Sequence, residues 1–277
     1  MTPDEYCQQK AAASGSSFYY SFLFLPAERR RAISALYAFC REVDDVVDET
    51  DEAQIAAAKL AWWRAEVANL FAGNPQHPVT KALKPHLGPC SISSEKLNDI
   101  IDGMEMDLTQ TRYLDWIGLE RYCYRVASVV GLLAAGIFGY RDPRTLDYAR
   151  ELGIAFQLTN IIRDVGEDAR KNRIYLPMAD LKEFGVPAAD ILQSRETPQF
   201  GRLMAFEAAR AREHYASAMQ ALPREDRKAQ RPGLIMAAIY RALLDEVERD
   251  GFRVLTRRTS LTPLRKFWIA WKTWVTA

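Results

Sequence analysis

Apolar residues recur at steps of three and four along most of the chain, and that period commits it to helices. Ile33, Leu36, Cys40, Val43 and Val47 form one such row. Leu152, Ala155, Phe156 and Thr159 form another, and Ile235, Ile239, Leu243 and Val247 a third. Residues so spaced share one face of an α-helix. The punctuation agrees. Thr2-Pro3-Asp4-Glu5 is a capping box with proline at the first helical position. Asp142-Pro143, Thr197-Pro198 and Thr262-Pro263 repeat the cap-then-proline pattern, and Pro26 and Pro177 also open periodic segments. Gly73, Gly88 and Gly185 stand where helices should stop. Sustained alternation, Asn-Gly hairpin turns, internal repeats and low-complexity linkers are absent from the sequence. The reading is an all-α fold: ten or more helices in one bundle over residues 1–277, with 262–277 as an amphipathic tail.

Bulk properties narrow the function. The 277 residues are 48% hydrophobic and 26% charged, enough for a sizeable core. A net charge of +1 gives no bias toward nucleic acid. Cys7, Cys40, Cys90 and Cys123 lack metal or redox spacing and read as reduced thiols of a cytoplasmic protein. His77, His86 and His214 form no ligand pattern and read as surface residues. The start of the chain does not have the pattern of a signal peptide. The longest apolar stretch, Val126 to Gly139, is shorter than the roughly 20 residues of a membrane span and is expected to be a buried helix.

Two acidic sites carry the chemistry. In Asp44-Asp45-Val46-Val47-Asp48, the first and last aspartates are four apart and share a face. Tyr37 and Arg41 extend that polar stripe beside the apolar one, as the wall of a cavity would. Like charges at this spacing cost roughly 0.2–0.5 kcal/mol, and they crowd a helix end where the macrodipole favours cations. A solvated acidic helix end explains this site alone equally well. The second site, Asn160-x-x-x-Asp164-x-x-x-Asp168, puts three oxygen donors on one face. Carboxylates in this number, without His or Cys, suit Mg²⁺, which also binds phosphate oxygens. Two such rows facing each other could clamp a diphosphate and neutralise it as a leaving group. Arg41 and Arg163 lie within the rows and are read as phosphate contacts; Lys171 and Arg173 follow the second and fit either phosphate or neighbouring acids. The small and apolar residues from Tyr122 to Gly139 could pack closely or leave a slot for a lipid tail.

These residues resemble the squalene/phytoene synthase family. The string Ala35-Leu36-Tyr37-Ala38-Phe39-Cys40-Arg41-Glu42-Val43-Asp44-Asp45-Val46-Val47-Asp48, with Ser17-Phe18-Tyr19-Tyr20 before it, resembles the family's first signature. Tyr122 through Gly131 and Gly153 through Pro177 resemble its second. The likeness runs from about Ser14 to about Gly251, and its wording is nearest the bacterial presqualene diphosphate synthases of hopanoid biosynthesis. It implies an isoprenoid-synthase bundle around a central cavity, and Mg²⁺ at Asp44, Asp48, Asn160, Asp164 and Asp168. It implies substrate contacts from Arg41, Gln157 and Arg163, with Tyr37, Tyr122, Tyr175 and Tyr240 in or near the reaction cavity; Ser17 of the first signature, Lys171 and Arg173 are further candidate substrate contacts. Val126, Ala127, Val130 and Gly131 would line the prenyl tail. The implied reaction joins two farnesyl diphosphates head to head into presqualene diphosphate, with no NADPH expected at that step.

Rival readings remain open at this point. Phytoene, dehydrosqualene or full squalene synthesis belongs to the same family. Head-to-tail elongation also uses an Asp-Asp-x-x-Asp motif, but no Arg-Arg pair follows closely after Asp48. An inactive relative serving as scaffold would be expected to lose ligand positions, and all five are filled. The basic, aromatic stretch Arg265, Lys266, Phe267, Trp268, Trp271, Lys272 and Trp274 fits either packing on the bundle or peripheral contact at the inner face of the membrane. Neighbouring isoprenoid-pathway enzymes are the expected protein partners.

Overall fold

The computed structural model describes residues 1–13, 21–22, 24–50 and 52–277. Ser17 and the rest of the 14–20 motif lie outside the described residues. Thirteen α-helices occur among the described residues. They are α1 (Pro3–Ala13), α2 (Ala27–Asp48), α3 (Ala53–Phe71), α4 (Pro78–Leu83), α5 (Ser94–Thr109), α6 (Trp116–Cys123) and α7 (Val129–Phe138). After these come α8 (Arg144–Arg170), α9 (Met178–Phe184), α10 (Ala188–Leu192), α11 (Pro198–Ala221), α12 (Arg231–Arg249) and α13 (Pro263–Thr276). Among the described residues there is no strand, only one isolated bridge between Arg112 and Ile174.

The caps mostly follow the sequence. Glu5 N–H donates to Thr2 Oγ1 at 3.2 Å and Thr2 N–H to Glu5 Oε2 at 2.7 Å, a complete capping box. Thr197 and Thr262 accept from the backbone three residues on. Asp142 departs from the expectation. α8 starts after Pro143 without a side-chain cap, and Asp142 serves as a turn acceptor for Arg144 N–H. The buried Asp226 secures that turn, accepting from Arg141 N–H, Asp142 N–H and Thr145 Oγ1 at 2.8, 3.0 and 2.7 Å. Two histidines also correct the surface reading. His86 is buried, and His77 caps α4, its Nδ1 accepting from Val79 N–H at 3.3 Å.

The apolar rows bury as their periods demand, and they form two cores. One gathers the N-terminal helices around Leu36, Phe39, Val67 and Ile100; the other gathers the C-terminal helices around Leu158, Ile162, Leu203 and Ile239. Val126 packs against both. The central helix α8 packs on α7, α11 and α12, so its two sides serve different neighbours. Helix α6, a π-turn at Tyr124–Ser128 and α7 run together as one segment. This Trp116–Phe138 run has 23 residues, longer than the apolar stretch suggests, and is long and apolar enough by length and composition to cross a membrane. Its packing is that of a core helix. Val129, Leu133, Ile137 and Phe138 are buried, and Ser128 Oγ donates to Arg150 O at 2.7 Å. Gly153 makes the contact with α8 close: a Cβ there would sit 2.5 Å from Ser128 Cα. The widened π-turn, a feature often found at functional sites, turns Val126 and Ala127 toward the space between the cores.

Candidate active site

That space is a cavity of about 920 Å³, at the upper end of the roughly 300–1,000 Å³ usual for ligand pockets. Its apolar part is bounded by Phe22, Ile33 and Leu36 from one side and by Leu152, Met236 and Ile239 from the other. Val126, Ala127, Val130 and Gly131 line it where the tail-lining positions were expected. Along α8 it extends from Asp168 to Tyr148, roughly 30 Å at the helical rise. Every other candidate residue named from the sequence and described in the structure also lines it: Tyr37, Arg41, Asp44, Asp48, Tyr122, Gln157, Asn160, Arg163, Asp164, Asp168, Lys171, Arg173, Tyr175 and Tyr240.

The polar residues occupy one end, and the helix directions explain why. Helices α2 and α8 both finish there, so two negative macrodipole ends add to the carboxylates. Asp45 is turned aside. It takes Lys10 at 3.0 Å and Arg41 at 2.5 Å, while Arg41 also holds Asp44 at 2.6 Å. Across the mouth, Lys171 and Arg173 reach Asp48 at 3.0 and 3.7 Å. Asp164 is held by the neighbouring Arg163 and by Arg258, whose Nε donates at 2.8 Å. Arg258 also lies 3.3 Å from Glu167.

These surroundings split the carboxylates. Burial pushes Asp44 up to about 6 against the pull of Arg41, with Asp48 adding to the rise. Burial pushes Asp168 up to about 7, helped by the charge of Asp164. Burial also opposes ionisation of Asp164, but its hydrogen bond from Arg163 and the charge of Arg258 outweigh it and hold the carboxyl below its usual range. Two carboxyls are therefore short of positive charge. Asn160 adds a further sign: its buried Oδ1 has no hydrogen-bond partner. No three His, Cys, Asp or Glu side chains among the described residues converge on one point. The donors face one another as two rows. An all-oxygen set of this kind fits Mg²⁺ that takes its remaining ligands from water or phosphate.

Two important positions escaped the sequence reading. Arg258 lies in the irregular segment before α13, where no period marks it. Asp107 is on α5, buried at the cavity wall, and accepts from Tyr122 Oη at 3.0 Å and Tyr175 Oη at 2.7 Å. Burial pushes it up to about 6 despite those bonds. A signal existed: a carboxylate interrupts the apolar row Ile100, Met104, Asp107. Tyr122 and Tyr175 stack at 5.2 Å, so Asp107 fixes both phenols with one side chain. Asp107→Asn is expected to cut kcat/KM about tenfold, the value of one hydrogen bond to a charged group. Steady-state kinetics with unchanged circular dichroism would check it; full activity would remove Asp107 from the site.

Comparison with known proteins matches residues 11–265 to the squalene/phytoene synthase family. The chain belongs to that family. A phytoene synthase from Arthrospira platensis is 36% identical over 275 residues, covering 95% of this chain and 89% of the relative. Among solved structures, a dehydrosqualene synthase superposes with a TM-score of 0.88 at 28% identity, covering 99% of this chain and 96% of that one. The squalene synthase HpnC from Alicyclobacillus acidocaldarius superposes at 0.82 with 30% identity, over 90% and 94%. The all-α isoprenoid-synthase-type bundle and prenyltransferase chemistry on prenyl diphosphates are thereby those of a squalene/phytoene synthase.

Proposed function

We propose that this squalene/phytoene synthase joins two farnesyl diphosphates head to head into presqualene diphosphate, with Mg²⁺ held by Asp44, Asp48, Asn160, Asp164 and Asp168. The observation that carries the reading is the pair of facing acidic rows at the mouth of one long apolar cavity. When bound, Mg²⁺ would neutralise diphosphate oxygens and so ease cleavage of the allylic C–O bond. Arg163, Arg258, Lys171 and Arg173 would bind the oxygens that remain, exchanging their present carboxylate partners for phosphate. The bonding electrons leave with the diphosphate, and the allylic cation accepts the double bond of the second substrate. Loss of a proton then closes the cyclopropane. Burial raises Tyr122 and Tyr240, and burial with Asp107 raises Tyr175, so these phenols enter the reaction protonated. They orient and solvate the cation, and the released diphosphate is the stronger base for the proton.

The relatives named phytoene synthase favour a second reading, the same condensation of two geranylgeranyl diphosphates. Incubation with each substrate, with and without NADPH, separates the two. Presqualene diphosphate from farnesyl diphosphate, unchanged by NADPH, is the expected outcome. A C40 product alone would overturn it. Squalene with NADPH would extend the reaction beyond the proposed endpoint. No diphosphate release from either substrate by folded protein would leave an inactive scaffold.

A further inference from the structure

Helix α13 packs with only part of its circumference. Ala270 is buried, Trp274 stacks on Phe24 at 5.1 Å, and the Arg231 guanidinium lies 5.0 Å over the Trp274 ring. Arg265 holds Glu246 of α12 at 2.6 Å. The outward face carries Leu264, Phe267, Trp268, Trp271 and Val275, exposed by 83, 49, 58, 44 and 62%. Their spacing of three and four makes one continuous stripe. Trp268 and Trp271 stack on each other at 5.1 Å, so the aromatic surface is already assembled. Exposed Lys272 flanks the stripe, and α13 contains no acidic residue.

The position of this helix is as telling as its composition. The opposite side carries Lys266, which lines the cavity together with Arg258, Thr259, Ser260 and Leu261 from the segment leading into α13. The aromatic stripe therefore stands beside the mouth of the apolar cavity. We infer that the outward face of α13 docks on an anionic lipid surface, with the tryptophans at the headgroup level and Lys272 against lipid phosphate. Aromatic rings with a flanking cation suit the interface, where one side is apolar and the other wet. A protein partner of ordinary surface would not call for a cation without any acid. The docking surface stands on α13 alone; its use in passing lipid tails to the cavity rests on the reaction proposed above.

The test uses the full chain and needs no turnover. Co-sedimentation is measured with phosphatidylcholine vesicles, with and without phosphatidylglycerol. The unchanged chain should bind the anionic vesicles preferentially, and salt should weaken the binding. The double variant Trp268→Ser/Trp271→Ser should lose about tenfold or more, given the apolar area removed. Lys272→Glu should lose on the order of fivefold on anionic vesicles only. Trp62→Ser, an exposed tryptophan on α3, should change nothing. Equal binding by the double variant, or equal loss with Trp62→Ser, would overturn the inference. So would a dimer in sedimentation velocity that only the double variant abolishes, since a second copy would then be the occupant. An unchanged helical circular dichroism spectrum and melting temperature should show that the double variant is folded. Failure of the proposed reaction would leave the vesicle result intact.

Discussion

Asp168→Asn should abolish turnover and, in the same protein, raise the melting temperature of the metal-free chain. The two effects share a cause. Asp168 is pushed up to about 7 by burial and by the charge of Asp164, so its ionised form is disfavoured in the fold. The folded chain binds this proton more tightly than the unfolded chain does. Stability is therefore highest below the unfolded pKa near 4, falls as pH rises, and carries the full penalty above about pH 7. A shift of this size corresponds to a few kcal/mol at most, since one unit is about 1.4 kcal/mol. Asparagine keeps the shape and removes the charge, so most of the penalty goes. Turnover suffers because the carboxylate is the group that would neutralise Mg²⁺, and loss of several kcal/mol of leaving-group stabilisation means a thousandfold or more, roughly. Added Mg²⁺ should stabilise the unchanged chain more at pH 8 than at pH 5.5, and Asp168→Asn much less at either pH. Thermal melts with and without Mg²⁺, beside diphosphate-release assays, check both halves. An unchanged or lower melting temperature at pH 8 would show that the carboxylate is structurally paired, and the metal reading of this position would fail.

What the sequence discloses depends on how locally each feature is encoded. Asp44/Asp48 and Asn160/Asp164/Asp168 were legible because a spacing of four on a helix fixes a common face. Their meeting was only implied by the family resemblance, since nothing local says that α2 and α8 finish at the same mouth. The small, apolar run from Tyr122 to Gly139 is legible as packing or a slot and the resemblance decides between them, while the π-turn that presents Val126 and Ala127 leaves no periodic mark. Lys171 and Arg173 remained divided between phosphate and acid partners, and in the structure both hold Asp48. Arg258 was invisible because an irregular segment has no face. Asp107 was overlooked for the opposite reason: it sits within a regular apolar row, and only its two tyrosine partners, from distant segments, show its purpose.

Arg258 owes its position to Gly166, and this leads to the second large expected effect. Gly166 lies on α8 between Asp164 and Asp168, and its N–H donates to Val254 O at 3.2 Å. A Cβ at this position would meet Leu255 O at 2.4 Å and Val254 O at 2.5 Å, both backbone atoms that cannot rotate away. Gly166→Ala must therefore displace the segment that follows α12. Arg258, four residues beyond Val254, would move away from Asp164 with it. Overpacking of this kind costs about 1–3 kcal/mol, which a well-packed bundle survives. Displacing a substrate-positioning group by about 1 Å can cost on the order of a hundredfold in rate. We expect Gly166→Ala to retain its helical spectrum and lose about a hundredfold in kcat/KM, with Arg258→Ala losing a similar factor. Because both changes remove the same contact, the double variant should lose little more than either alone. Additive losses would mean that Gly166 and Arg258 act separately, and the close backbone approach would then serve packing rather than the placement of the guanidinium at the mouth.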